Sequence, residues 1–223
     1  MNILLTILFI CFCSFSYTIL YELLILILKN LNYKQFTKEN WTYIWAIPIV
    51  ISGLIIRSKI YITYPQNISY DDIFTFCIAI LVAIVLAVNS KYNPGKEAKD
   101  IISFCIVFPV VEEIIFRGIL LFLLVRIDII NSININIFYI TNVSLPIFIC
   151  ASCFGLMHFQ YHKFKINSLS IRQVIIAFIA GIFLGKFVIV YSSIFPSLIM
   201  HIAFNSTATI FCIKQLKNKT LDI

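Results

Sequence analysis

From Ile101 to Val125 the chain is apolar apart from Ser103, two adjacent glutamates, Glu112 and Glu113, and Arg117. A stretch of that length can cross a bilayer, which takes about 20 apolar residues. Inside lipid the backbone must satisfy its own hydrogen bonds, so the stretch has to be helical. A carboxylate in such a place is costly, and an intramembrane ionisable group is a functional hypothesis by default. Two further apolar stretches each carry a histidine, in Phe154-Gly-Leu-Met-His158 and His201-Ile-Ala-Phe-Asn205. The chain has only 3 histidines, so their placement points to a polar site assembled inside a membrane protein.

Composition agrees with that class. The chain is 61% hydrophobic and 12% charged, where an ordinary soluble domain carries about 25% charge. The expected fold is all-α, a polytopic transmembrane bundle of about seven helices forming one membrane domain over residues 1–223. The net charge of +7 lies mostly in short loops, which suits membrane orientation and anionic lipid. No basic run is interleaved with aromatics in a soluble segment, so nucleic acid is excluded as a partner. The 7 cysteines all fall in apolar stretches and read as small buried hydrophobes, not a secreted disulfide framework. Cys150 and Cys153 have CxxC spacing, but no second such pair accompanies them.

The candidate spans are Ile3–Leu28, Trp41–Ile56, Asp72–Val88, Ile101–Val125, Pro146–Gln160, Gln173–Val190 and Ile194–Ile213. The first lacks the basic start and small-residue cleavage site of a signal peptide, so it is expected to be a retained helix. Basic residues sort sharply between the loops. Lys29, Lys34, Lys38, Lys91, Lys96, Lys99, Lys163, Lys165, Arg172, Lys214, Lys217 and Lys219 lie on one side. Arg57, Lys59 and Arg126 lie on the other, with Lys186 snorkelling toward them. The expectation is a multi-pass protein of the cell membrane, amino terminus outside and carboxyl terminus in the cytoplasm. Trp41, Tyr43 and Trp45 fit an aromatic belt at the inner interface.

That topology brings the polar groups to compatible depth. Glu112 and Glu113 lie about 17 Å into the fourth span at 1.5 Å per residue. His158 ends the fifth span on its cytoplasmic side, and Asn205 reaches mid-depth in the seventh, which enters after Pro196. Pro109, four residues before Glu113, should loosen the helix there. Glu113 and Arg117 are i,i+4 and can pair, leaving Glu112 for chemistry. His162 reads as a solvated loop residue. Ala177, Gly181 and Gly185 form a small-residue stripe for close helix approach, expected to hold the seventh span against the fourth.

The residue types limit the reaction. A carboxylate with a histidine suits activation of water, and a second histidine with an amide suits stabilising an oxyanion. Two histidines and a glutamate are also a three-ligand catalytic zinc set, with Glu112, His158 and His201 as its ligands. Both routes hydrolyse an amide, and the residues alone leave the choice open.

The three elements, in this order, resemble the CAAX protease and bacteriocin-processing (Abi) family of intramembrane endopeptidases. Its pattern is E-E-x-x-x-R, then F-x-x-x-H, then H-x-x-x-N/D. Here it reads Glu112-Glu113-Ile-Ile-Phe-Arg117, Phe154-Gly-Leu-Met-His158 and His201-Ile-Ala-Phe-Asn205. The context from Gly181 to Gly185 and from Ser193 to Ser197 is similar as well. The resemblance covers residues 95–213; residues 1–94 read as three generic helices.

The resemblance implies a protease open toward the cytoplasmic half of the membrane. Glu112 and His158 would activate water, His201 and Asn205 would polarise the scissile carbonyl, and Glu113 with Arg117 would support that geometry. The family is commonly labelled a metalloprotease, while its eukaryotic members are also described as metal-independent glutamate proteases. Zn2+ is therefore the one candidate cofactor, and a metal-free Glu–His mechanism is favoured. Bacterial relatives are linked to bacteriocin maturation, self-immunity, lysostaphin resistance and peptide signalling. The expected partners are a peptide or membrane-protein substrate and the bilayer. The competing readings are a non-enzymatic immunity or scaffold protein and, more remotely, an ion or proton transporter.

Overall fold

A computed structural model describes residues 3–28, 33–57, 60–65, 68–95, 97–137 and 140–221, with side chains described from residue 8 and outside 34, 72, 137, 140, 141 and 216–221. Lys29, Lys59 and Lys96, and the side chains of Lys34, Lys217 and Lys219, lie outside the described residues. Among the described residues the chain is an all-α bundle with one small hairpin. α1 is Ile3–Ile27, α2 Lys34–Ile55 and α3 Tyr70–Ser90. α4 occupies residues 98–125, α5 is the single turn Asp128–Asn131, and α6 is Leu145–Met157. α7 is Ser168–Tyr191 and α8 Phe195–Leu221.

Among the described residues, four helical segments, Leu8–Ile27, Ile73–Ser90, Ser168–Tyr191 and Phe195–Gln215, are each long and apolar enough to cross a membrane. The other three expected spans differ for identifiable reasons. α2 begins seven residues earlier than Trp41 and takes in Lys38, Glu39 and Asn40. The fifth span is only 13 residues of α-helix before it tightens into the 3-10 turn His158–His162. The fourth is not uniformly α-helical.

In α4, a π-helical turn, Ser103–Val107, precedes the α-helical piece Phe108–Glu112, and a longer π-helical piece, Glu113–Leu121, follows it. Pro109 has no N–H to offer the carbonyl one turn back, and its ring crowds that carbonyl; the widened turn lies just before it. The second widened piece starts at Glu113 itself. There the Cys150 thiol donates to the Phe116 carbonyl at 3.1 Å. Departures from α winding of this kind are frequent at functional sites.

β1, Asn134–Ile137, and β2, Ile140–Ser144, pair as an antiparallel hairpin. No strand was expected here, because the two short runs look like loop beside apolar spans of 20 residues. Val143 anchors the hairpin: it is fully buried in the core.

The core forms where α4 is wrapped by its neighbours. Val111, Phe116, Leu120 and Leu121 of α4 pack with Ile147, Cys150, Ala151 and Phe154 of α6, and with Trp41 and Trp45 of α2. Outward faces are just as apolar, with Leu23, Ile55, Phe74, Val85 and Ile175 all exposed. In lipid, burying such residues gains little, so close packing has to do more of the work. The small-residue stripe of α7 supplies it, against a different partner from the one expected. A Cβ on Gly181 would stand 3.0 Å from Ala151 Cα, and one on Gly185 would stand 3.0 Å from Ile147 Cγ2. The stripe therefore holds α7 against α6, the helix that ends in His158. A Gly155 Cβ would meet the Val174 carbonyl oxygen at 3.0 Å in the same interface.

Candidate active site

Glu113 is fully buried and all of its described contacts are donors. Arg117 Nη1 donates to Oε1 at 3.2 Å, and His201 Nδ1 lies 2.9 Å from the same oxygen. Ser197 Oγ is 2.7 Å from Oε2. Arg117 is also fully buried, and its guanidinium carbon stands 4.1 Å from the centre of the Phe154 ring. Among the described residues its Nε and Nη2 have no hydrogen-bond partner, and the π-face of Phe154 takes the place of a second anion. Glu113, Arg117 and His201 thus knit α4 to α8, with Phe154 of α6 above them.

Glu112 points elsewhere. Its Oε1 accepts from the Tyr161 phenol at 2.9 Å, and its Oε2 lies 3.6 Å from His201 Nε2. A cavity of about 660 Å³ opens in front of it, lined by Glu112, His158, Tyr161, His201 and Asn205. Glu113 and Arg117 are not among its lining residues. The two glutamates, adjacent in sequence, therefore face different surroundings: one a set of fixed donors, the other an open space.

His158 sits where α6 gives way to the 3-10 turn. Its Nδ1 lies 2.8 Å from the Phe154 carbonyl oxygen; a carbonyl can only accept, so Nδ1 carries a hydrogen and Nε2 is left for other partners. Phe154 meets both histidine rings edge-on, with centroids 5.1 Å from His158 and 5.7 Å from His201. Asn205 donates from Nδ2 to the Phe104 carbonyl at 2.7 Å, where α4 is π-wound. That leaves the second amide hydrogen and the amide oxygen of Asn205 for the cavity. His162 is half-buried and hydrogen-bonded, its Nε2 2.7 Å from Gln173 Oε1, so it is tied to α7 instead of moving freely in solvent.

Four neighbours of the site were not singled out by sequence: Ser197, Thr209, Tyr161 and Tyr92. Ser197, His201, Asn205 and Thr209 follow one another at four-residue spacing on α8, so Ser197 and Thr209 could have been found by extending the periodicity. Thr209 backs Asn205 by donating to its carbonyl at 2.9 Å. Tyr161 lies three residues beyond His158, but the change to 3-10 winding that aims it was not legible. Tyr92, in the segment between α3 and α4, packs edge-on to His158 with centroids 6.1 Å apart. Burial pushes its phenol well above the ordinary tyrosine range, and the nearby charge of Glu112 adds to this.

Among the described residues, no three His, Cys, Asp or Glu side chains converge closely enough to hold a metal ion. The set Glu112, His158 and His201 does not fit a three-ligand zinc site as it stands, and no step below is routed through a metal.

No curated protein matches the chain, and no solved structure does. A family model does match, that of the Rce1-like type II CAAX prenyl endopeptidases, over residues 94–207. The matched region runs from the segment before α4 into α8 and contains all three polar elements, in order, around one cavity. It amounts to half of the chain, and an intramembrane endopeptidase fold explains why so many polar groups are kept among apolar helices. This chain belongs to the Rce1-like type II CAAX prenyl endopeptidase family.

Proposed function

We propose that the protein hydrolyses a peptide bond of a membrane-associated peptide or protein, with Glu112 as the base that activates water. The observation that carries this is the separation of the glutamates: Glu113 is enclosed by Arg117, His201 and Ser197, whereas Glu112 lines a cavity that His158 also lines. Water held between Glu112 and the free Nε2 of His158 loses a proton to the carboxylate as it adds to the scissile carbonyl. The resulting oxyanion is met from α8, by the second Nδ2 hydrogen of Asn205 and by the Nε2–H of His201 in its doubly protonated form, whose Nδ1–H stays on Glu113. Glu112 then returns the proton to the departing amine. Glu113 and Arg117 hold His201 in place throughout.

The cavity opens toward the cytoplasm in this reading. Lys38, Lys91 and Lys99 line it, and all three fall in the segments that the distribution of basic residues puts inside. A role in bacteriocin maturation or self-immunity is the biological setting we favour, on the strength of the resemblance alone.

The test is cleavage by purified protein in liposomes of fluorogenic membrane-anchored peptides, farnesylated and unmodified, comparing the wild type with Glu112→Ala and His158→Ala. Both variants should lose cleavage, and a chelator should leave the wild type active. Full activity in both variants would overturn the proposal, and chelator sensitivity would replace the metal-free mechanism.

A further inference from the structure

We infer that Tyr161 is the positioning residue for Glu112, and that α1, outside the matched family region, helps to hold it there. This rests on the reading of Glu112 as the base. The phenol donates to Glu112 Oε1 at 2.9 Å, which leaves Oε2 as the oxygen 3.6 Å from His201. A carboxylate on a flexible side chain beside an open cavity has several rotamers available. One directed donor selects among them and fixes which oxygen is free. Charge-assisted bonds of this kind are stronger than neutral ones.

Tyr161 is itself held on every side but one. Its ring packs edge-on against His158 at 5.6 Å, against Phe108 of α4 at 5.7 Å and against Tyr17 of α1 at 6.2 Å. Tyr17 in turn packs on Trp41 and Trp45 of α2, with centroids 5.8 and 5.1 Å away. The Trp41 indole also donates to the Tyr17 carbonyl at 3.2 Å. Tyr161 also lines the cavity and is 39% exposed as a residue. The path from α2 through Tyr17 to Tyr161 ends on the carboxylate. Tyr17 of α1 and Thr42 of α2, in the stretch that is generic by sequence, thereby help to line the cavity. The other ionisable groups that act on Glu112 are His201, Arg117 and Glu113, with Tyr92 from the loop before α4, and His158 lines the same cavity. Among the described hydrogen bonds, only that of Tyr161 reaches Oε1.

The test does not depend on finding a substrate. The protein in liposomes is treated with a hydrophobic carbodiimide, and adducts on Glu112 and Glu113 are followed by mass spectrometry. Tyr161→Phe keeps the ring and its packing but removes the donor. A carboxyl freed from its donor swings into the cavity, and adduct formation at Glu112 should rise roughly tenfold, with Glu113 unmodified in both proteins. In the infrared difference spectrum against Glu112→Gln, the carboxyl band of Glu112 should also move when Tyr161 is Phe. Tyr17→Phe, which keeps the supporting ring, should leave both readouts as in the wild type, while Tyr17→Ala should move them in the direction of Tyr161→Phe. Equal labelling and an unmoved band in Tyr161→Phe, with the same thermal unfolding as the wild type, would overturn the inference. So would labelling of Glu113 in place of Glu112. A Glu112 that is freed by Tyr161→Phe in a protein that cleaves nothing would support the positioning role and refute the protease reading.

Discussion

His201 Nδ1 lies 2.9 Å from Glu113 Oε1, and this bond decides which way the other nitrogen of the ring faces. With Nδ1 committed to a buried carboxylate, Nε2 is turned to Glu112 and the cavity. A second partner that orients an imidazole in this way is a common support for histidines in active sites.

Removing that carboxylate should be costly. Glu113→Gln leaves Arg117 charged and fully buried without its anion, and breaking such a pair costs about 3–5 kcal/mol. Denaturant unfolding in detergent should show this loss. Glu113→Leu combined with Arg117→Leu should recover most of the stability and none of the cleavage activity. A single Glu113→Gln variant as stable as the wild type would contradict the arrangement.

Glu112→Gln should behave in the opposite way. Glu112 is buried but lines the cavity, and the isosteric amide keeps an oxygen to accept from Tyr161, so the stability loss should be smaller than for Glu113→Gln. Loss of a general base should lower turnover by about 10²–10⁴-fold. Unfolding and cleavage measured on the same preparation separate the two glutamates, and equal destabilisation by both variants would refute the division of roles.

Ser197→Ala takes away the hydroxyl 2.7 Å from Glu113 Oε2. A buried acceptor left unsatisfied costs about 1–3 kcal/mol, so the unfolding midpoint should fall measurably. Since Ser197 lies beneath His201, turnover should fall more than substrate affinity. A change confined to KM would place Ser197 in substrate binding instead.

Gly181→Val should force α6 and α7 apart, because even a Cβ there would stand 3.0 Å from Ala151 Cα, which is backbone and cannot rotate away. Overpacking of this kind costs about 1–3 kcal/mol. At Gly118 the nearest atom to an added Cβ is Ile60 Cδ1 at 3.4 Å, an ordinary contact, so Gly118→Ala should be tolerated. Thermal unfolding of the pair gives the comparison.

Orientation is testable with an impermeant thiol reagent. The exposed positions Lys165 and Ser132 fall on opposite sides in the proposed topology. In intact cells Ser132→Cys should be labelled and Lys165→Cys should not, and inverted vesicles should reverse the pattern. The converse result would turn the protein over in the membrane.

Much of the site could be read in the chain because cost in lipid makes polar residues conspicuous. Glu112, Glu113, Arg117, His158, His201 and Asn205 stand out for that reason, and four-residue spacing pairs Glu113 with Arg117 and His201 with Asn205. The same rule cannot find Tyr161 or Tyr92, since amphipathic aromatics are unremarkable near membrane ends. Nor could it tell that the α7 stripe packs on α6, because small residues announce close approach without naming the partner.

By itself, then, the amino-acid order determined a helical membrane protein with its carboxylates, histidines and amide at compatible depth, since length and transfer cost depend on local composition. Only the tertiary structure decided which oxygen of Glu112 is free, which nitrogen of each histidine is committed, and that α1 and α2 wall the site. Those outcomes turn on side-chain directions across helices, at the π-wound turns of α4 and the 3-10 turn after His158. Periodicity assumes regular winding, and here the winding changes at Glu113 and at His158.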